Sequence, residues 1–290
     1  MHFLLLKVAA SVGMGLALKV AQVRRLDQLA VIRVNYAAAA VIAFFGAVLA
    51  RQDHVSPGTA LLGAVLGVLF VAGLVFWVKA IETGGLALSV VAMRTAIVIP
   101  VLASVVIWRE QPGTFELVGA VVAVTALGLV ISEIVRPPGA GGKSGTRSRR
   151  AWFWMSGVFA VNGLVNTGAK LFQQDMAPDE DLPFQVVIFV AAFVVTTILY
   201  YLRKSRLSQP ALVLGTALGA ANLGNYLFLI LALTVLPGTV VYPVTAAGEV
   251  GLAALAGALI WRERVGVRSW VGIGLAIVAL VLLQAGRAGG

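Results

Sequence analysis

Long apolar runs separated by short polar punctuation set the pattern of this chain. A helix needs roughly 20 apolar residues to cross a bilayer. Such stretches fall at residues 2–20, 28–50, 59–78, 86–108 and 115–134, and again at 152–172, 184–202, 211–236, 239–261 and 267–285. Most connections are short and carry turn-forming Gly or Pro, as in Ser56-Pro57-Gly58, Thr83-Gly84-Gly85, Gln111-Pro112-Gly113 and Leu236-Pro237-Gly238. The exception is 136–150, RPPGAGGKSGTRSRR, a basic tether rich in Pro, Gly and Ser. The pattern predicts an all-α integral membrane protein with ten transmembrane helices.

The two sets of five spans are related. Residues 105–132, VVIWREQPGTFELVGAVVAVTALGLVIS, reappear in outline at 258–285 as ALIWRERVGVRSWVGIGLAIVALVLLQA. Trp108-Arg109-Glu110 aligns with Trp261-Arg262-Glu263, and Gly119 with Gly272. Five crossings is an odd number, so a second copy enters the membrane from the opposite side. Two inverted five-helix repeats are therefore expected, at 1–135 and 151–290, joined by the linker 136–150 into one membrane domain. Inverted repeats of this kind are characteristic of alternating-access transporters. Glycine lines at Gly63, Gly67 and Gly73, and at Gly215, Gly219 and Gly224, allow close helix approach.

Composition agrees with the bilayer as solvent. The chain is 60% hydrophobic and 12% charged, with a mean hydropathy of +0.98. With no cysteine, disulfides, thiolate metal sites and redox motifs are excluded. His2 and His54 cannot build a metal cluster by themselves, and neither metal nor cofactor is expected. A net charge of +10 would suggest nucleic acid in a soluble protein. Here the basic residues lie between apolar spans, which points to lipid headgroups and away from nucleic acid. The N-terminal stretch MHFLLLKVAASVGMGLALK lacks a basic n-region and a cleavage site, and reads as a retained first span.

Basic residues also predict orientation. Lys19, Arg24, Arg25, Lys79, the tether, Arg203, Lys204, Arg206, Arg262, Arg264 and Arg268 fall on one side. Only Arg51, Arg109, Lys170 and Arg287 fall on the other, while Lys7, Arg33 and Arg94 lie within spans. Basic loops stay cytoplasmic, so both termini are expected outside a cell inner membrane and the tether inside.

The ten spans, the five-helix repeat and the Trp-Arg-Glu segments closing the fourth and ninth spans resemble the EamA type of the drug/metabolite transporter superfamily. The strongest local likenesses run from Arg94-Thr95-Ala96-Ile97-Val98-Ile99-Pro100-Val101 to Trp108-Arg109-Glu110, and from Val240-Val241-Tyr242-Pro243-Val244 to Glu263. Val34-Asn35-Tyr36 resembles one bacterial branch. The resemblance implies a central cavity lined mainly by the first, third, fourth, sixth, eighth and ninth helices, with the fifth and tenth peripheral. Familiar ten-helix members keep both termini in the cytoplasm, opposite to the orientation that the loop charges give here.

Charged residues inside spans are costly and normally face a cavity or a partner. Arg94 lies near the middle of the fourth span and Glu249 near the middle of the ninth. They read either as a site, Arg94 for an anionic group and Glu249 for an amine or coupling proton, or as a pair stapling two helices. Asn162, Asn166 and Lys170 recur at i, i+4, i+8 along the sixth helix, and Lys19 is the counterpart of Lys170 in the first. The two lysines either draw solute into opposite mouths of one cavity or snorkel at helix ends. Asn222, Asn225 and Tyr226 form a patch on the eighth helix, and Tyr242, Thr245 and Glu249 share a face of the ninth. Such asparagines serve equally as solute ligands or as interhelical contacts. Arg33 reads as an interfacial anchor, and the repeated Trp-Arg-Glu segments as structural helix ends. Pro100 and Pro243 are each expected to remove a backbone hydrogen bond and free a carbonyl.

No enzyme constellation competes: the sequence has no H-E-x-x-H, no phosphate-binding glycine loop, and no Ser/His/Asp set at membrane depth. The expected function is a secondary active transporter, an exporter or exchanger, of a small anionic or zwitterionic metabolite. An alternative is a proton-coupled exporter of amphipathic or cationic compounds, with Glu249 carrying the proton. From another class, the alternative is a lipid-headgroup translocase or a non-transporting scaffold. Partners are a small-molecule substrate and membrane lipid, for a monomer or homodimer.

Overall fold

In a computed structural model of the chain, residues 2–84, 86–134, 149–176, 178–261 and 267–288 are described. They are helical throughout, with short turns and no strand. In order, the helices are α1 (His2–Val23), α2 (Gln28–Leu49), α3 (Pro57–Gly84), α4 (Leu86–Thr95), α5 (Val98–Val106), α6 (Thr114–Ile134), α7 (Arg149–Asp175), α8 (Asp181–Leu202), α9 (Gln209–Leu233), α10 (Gly238–Trp261) and α11 (Val267–Ala288). Among the described residues, α1, α2, Pro57–Thr83 of α3, α8 and α9 are each long and apolar enough to cross a bilayer. The tether lies almost wholly outside the described residues, as do Arg262 and Glu263.

The helices form two compact units. Unit 1 contains Gly73–Thr167 and Val235–Gly290; unit 2 contains His2–Ala72 and Gly168–Thr234. Each unit therefore takes helices from both sequence repeats. The division falls inside α3 and inside α7.

Unit 2 packs α1 against α9, and α2 against both α8 and α9. On α2, Ala30, Val31, Asn35, Tyr36, Ala39 and Ala43 are buried, whereas Val41, Phe44, Phe45 and Val48 are exposed. The small residues let backbones meet, and the large ones suit a lipid face. A chain of rings fills the interior: Tyr36 against Phe189, Phe189 and Tyr226 against Phe70, and Phe172 stacked on Phe184 at 3.9 Å.

Helix ends explain the chain breaks. Asp27 caps α2 by accepting from the N–H groups of Leu29 (3.0 Å) and Ala30 (3.2 Å), and also accepts from Arg206 N–H (3.0 Å). Ser208 caps α9. Helices α2 and α8 terminate alike: Arg51 has φ 56° and Lys204 φ 51°, both left-handed. The next N–H reaches back to Ala47 O from Gln52 (2.9 Å) and to Tyr200 O from Ser205 (3.1 Å). Both ends satisfy carbonyls that the helix leaves open.

Unit 1 packs α6 against α10 and α11, and α10 against α5. Around Ala80, Met155 and Val158, a second core gathers Phe76, Trp77, Met93 and Trp154. The fourth span differs from expectation: it is two helices, with a turn at Ala96-Ile97. Pro100 lacks the N–H that would bond Ala96 O, and Ile99 N–H takes that carbonyl instead at 3.1 Å. The carbonyl expected to be freed is thus recaptured, and the strain appears as a turn directly after Arg94-Thr95. Pro243 sits inside an unbroken α10.

Candidate functional site

Arg94 occupies the last turn of α4, next to the Ala96-Ile97 turn. The α4–α5 span runs antiparallel to α10: Ser104 lies beside Gly238, and ten residues earlier Arg94 lies beside Glu249. The Arg94 guanidinium donates through Nη1 to Glu249 Oε2. Glu249 is buried, while the Arg94 side chain keeps 23% exposure. Its Nε is buried without a hydrogen-bond partner, so the guanidinium has donor capacity left.

The same unit carries the polar residues of α7. Tyr242 donates its hydroxyl to Asn166 O at 2.9 Å. Tyr242 lies two turns before Glu249 on α10, where both are buried. Asn162 and Asn166 donate their amides to Val158 O (2.9 Å) and Asn162 O (2.8 Å), one turn back on their own helix. Gly163, between them, lets Ile99 of α5 reach the α7 backbone: a Cβ there would meet Ile99 Cβ at 2.7 Å.

The N-terminus of α10 is held from outside its own sequence. Glu110 accepts from Gly238 N–H at 2.9 Å and from Thr239 N–H at 3.0 Å. A carboxylate here satisfies two open donors and complements the positive end of the helix. This gives the first Trp-Arg-Glu segment a structural task, as its place at a span end suggested.

The remaining candidates lie in unit 2. Lys170 is buried rather than snorkelling, and donates to Gln173 Oε1 at 3.3 Å. Lys19 is half-buried on α1. Asn222 donates to Asn35 Oδ1 at 3.2 Å, both residues being buried. Asn225 keeps a buried Oδ1 without a hydrogen-bond donor. Tyr226 belongs to the ring chain and packs against Phe70 and Phe184. Arg33 donates to Thr197 Oγ1 (3.2 Å) and lies over Tyr200 at 4.6 Å, an anchor between α2 and α8.

One acidic residue in a connection is also firmly held. Glu180 is buried and accepts from Ser56 N–H (3.0 Å) and Ser56 Oγ (2.9 Å) at the start of α3. Burial alone would raise its carboxyl pKa. The hydrogen bonds from Thr59 and Ser56, with His54 nearby, outweigh burial and hold it below the ordinary carboxylate range.

Residues 1–132 match the EamA-like transporter family. That family belongs to the drug/metabolite transporter superfamily. The apolar helices, together with this match to a transporter family over residues 1–132, support a multi-pass membrane protein. An uncharacterized protein of Haemophilus influenzae (strain ATCC 51907 / DSM 11121 / KW20 / Rd) is 25% identical over 294 residues, covering 98% of this chain and 97% of the relative. A protein of known crystal structure shares the fold at a TM-score of 0.76 and 10% identity, over 99% of this chain and 98% of that one.

Three functional candidates escaped the sequence reading. Asn35 was visible only as part of a likeness motif, and its link to Asn222 depends on how α2 and α9 cross. Glu110 reads from sequence as a helix end, and its partners Gly238 and Thr239 are distant along the chain. Lys7 lies within the first span and is buried there, which its neighbours along the chain do not indicate.

Proposed function

We propose that this EamA-like protein is a secondary active transporter, an exporter or exchanger, that moves a small anionic or zwitterionic metabolite by alternating access across a cell inner membrane. One observation carries the reading: the Arg94–Glu249 pair sits beside the turn that separates α4 from α5. Interrupted helices with charged groups at mid-membrane are the usual way in which secondary transporters build a solute site. A solute carrying both a carboxylate and an ammonium can exchange partners with the pair, carboxylate to Arg94 and ammonium to Glu249. Opposite charges then stay matched throughout, which limits the cost of parting a desolvated pair.

The pairing favours this reading over a proton-coupled exporter of cations, because Glu249 already has a guanidinium for counter-charge. Two likenesses between the halves support an inverted repeat: the matched ends of α2 and α8, and the close approaches of Gly67 to α8 and of Gly219 to α2. Asn162, Asn166 and Tyr242 in unit 1, and Lys19, Lys170, Asn222, Asn225 and Tyr226 in unit 2, are each proposed as solute contacts. A lipid translocase or a scaffold is the contrasting outcome.

The test is a thermal-shift screen of the purified protein over amino acids, phosphorylated metabolites and cationic dyes, followed by counterflow in proteoliposomes with the best stabiliser. Stabilisation and counterflow by an anionic or zwitterionic solute support the proposal. Movement of labelled lipid alone, or of cationic dyes alone, overturns it.

A further inference from the structure

The α1–α2 and α8–α9 connections meet at one end of unit 2, where Asp27 of the first accepts from Arg206 N–H of the second at 3.0 Å. Residues 24–27 and 203–208 carry five basic side chains, Arg24, Arg25, Arg203, Lys204 and Arg206, against one carboxylate, Asp27. That carboxylate already accepts from three backbone N–H groups, those of Leu29, Ala30 and Arg206. All five basic side chains are exposed. Among the described residues none of the five is in an ion pair, so their charge is left to solvent and lipid headgroups.

A groove of about 440 Å³ opens at this end: Val20 and Arg24 form one wall, and Gln209, Pro210, Val213 and Ala217 of α9 the other. Helix register explains it. A Cβ on Gly13 would meet Ala221 Cβ at 3.9 Å, and one on Gly224 would meet Ala10 Cβ at 3.7 Å, so α1 and α9 run antiparallel. The same register brings Val20 level with Leu214, and Arg24 level with Pro210. Ala21 and Ala211, fully buried in one cluster, hold the two helices together there. Pro210, Val213 and Ala217 follow at i, i+3, i+7 and make one apolar stripe along α9. The stripe is open, with Val213 keeping 71% exposure, and Pro210 and Ala217 are too small to fill the space.

We propose that this groove binds one anionic glycerophospholipid of the bilayer, its phosphate at Arg24 and Gln209 and an acyl chain along Pro210, Val213 and Ala217. From its polar start α9 runs into the apolar span, so the stripe covers roughly 10 Å of helix below the headgroup. Cationic side chains alone would serve a free phosphate. An apolar stripe continuing from them selects a molecule with a tail. Charge complementarity selects an anionic head over a zwitterionic one, because the surplus cations repel the ammonium of a choline head. Basic pockets between membrane helices hold anionic headgroups in this way. The site is made of unit 2 residues alone.

The test uses the purified full chain in phosphatidylcholine nanodiscs doped with a phosphatidylglycerol whose acyl chain carries a photoactivatable diazirine. Peptide mass spectrometry then reads where the adducts fall. The expected result is adducts concentrated at residues 210–217 and at Val20, reduced several-fold by excess unlabelled phosphatidylglycerol and unchanged by phosphatidylcholine or inorganic phosphate. Arg24→Gln should lower them several-fold, whereas Arg268→Gln, at an exposed position of unit 1, should leave them unchanged. Ala217→Trp, at another exposed position, fills the groove and should abolish the adducts there while the melting temperature stays at the wild-type value. Adducts spread evenly over the exposed helix faces, equal competition by phosphatidylcholine or by inorganic phosphate, or full labelling in Arg24→Gln each overturn the proposal. Dimers in which these positions take no lipid would make a second copy the occupant and overturn it as well.

Discussion

Gly67 of α3 and Gly219 of α9 make the same helix crossing in the two halves of the chain. A Cβ on Gly67 would strike the Ile188 carbonyl and lie 2.6 Å from Ala191 Cβ on α8. One on Gly219 would strike the Asn35 carbonyl and lie 2.8 Å from Ala38 Cβ on α2. Asn35 and Ile188 are themselves 153 residues apart, the offset of the repeated Trp-Arg-Glu segments. Gly67→Ala and Gly219→Ala should each destabilise by about 1–3 kcal/mol, because backbone rather than a flexible side chain must move. Gly15→Ala, with nothing within 4 Å, should leave the melting temperature unchanged or slightly raised. Equal tolerance at all three positions would contradict the crossing.

Glu110 should behave as a helix cap that happens to lie far away in sequence. Glu110→Ala strands the N–H groups of Gly238 and Thr239 and should cost about 1–2 kcal/mol. Glu110→Gln keeps an acceptor and should lose less. Hydrogen exchange at the start of α10 should rise in the alanine variant; unchanged exchange there would remove the cap from the account.

The Glu180 contact gives a pH dependence with a definite sign. Its folded pKa lies below the ordinary value of 4.5, so the contact stabilises fully above that pH. The stabilisation is lost as pH falls below 4.5 and through the folded value. Melting temperature measured from neutral pH down into this acid range should show the loss in the wild type. Ser56→Ala, which removes one hydroxyl donor, should make it shallower. A wild-type curve parallel to that of Ser56→Ala would count against the contact.

Much of the architecture was legible because bilayer solvation makes a coarse demand: about 20 apolar residues per crossing, read directly from composition. What was not legible came from tertiary geometry. The turn after Arg94 needed the competition of Ile99 N–H for Ala96 O, which a proline alone does not specify. Asn162 and Asn166 form a polar stripe by spacing, but that their amides donate back onto α7 depends on rotamers that spacing does not specify. Lys170 has the spacing of a helix-end snorkel but is buried, since burial depends on neighbours distant in sequence. The Arg94–Glu249 pair was legible as an alternative because opposite charges in corresponding spans leave few other arrangements.

Loop charge predicts that both termini face outward. A C-terminal fluorescent reporter that matures only in the cytoplasm should be dark, and a periplasm-active enzyme reporter should be active. The reverse would mean that the familiar ten-helix orientation holds and that headgroup contacts, not topology, explain the basic bias.

The central claim is that Arg94 and Glu249 bind solute rather than only joining two helices. Either single neutralisation, Arg94→Ala or Glu249→Gln, strands the partner charge, with a cost reaching about 3–5 kcal/mol if the pair is fully desolvated. The double variant removes both charges and should recover a melting temperature near wild type. The decisive measurement is therefore counterflow by the Arg94→Ala/Glu249→Gln double variant in proteoliposomes, with the solute that most stabilises the wild type. Transport-dead but stably folded is the predicted result; a double variant that is stable and fully active would contradict the assignment.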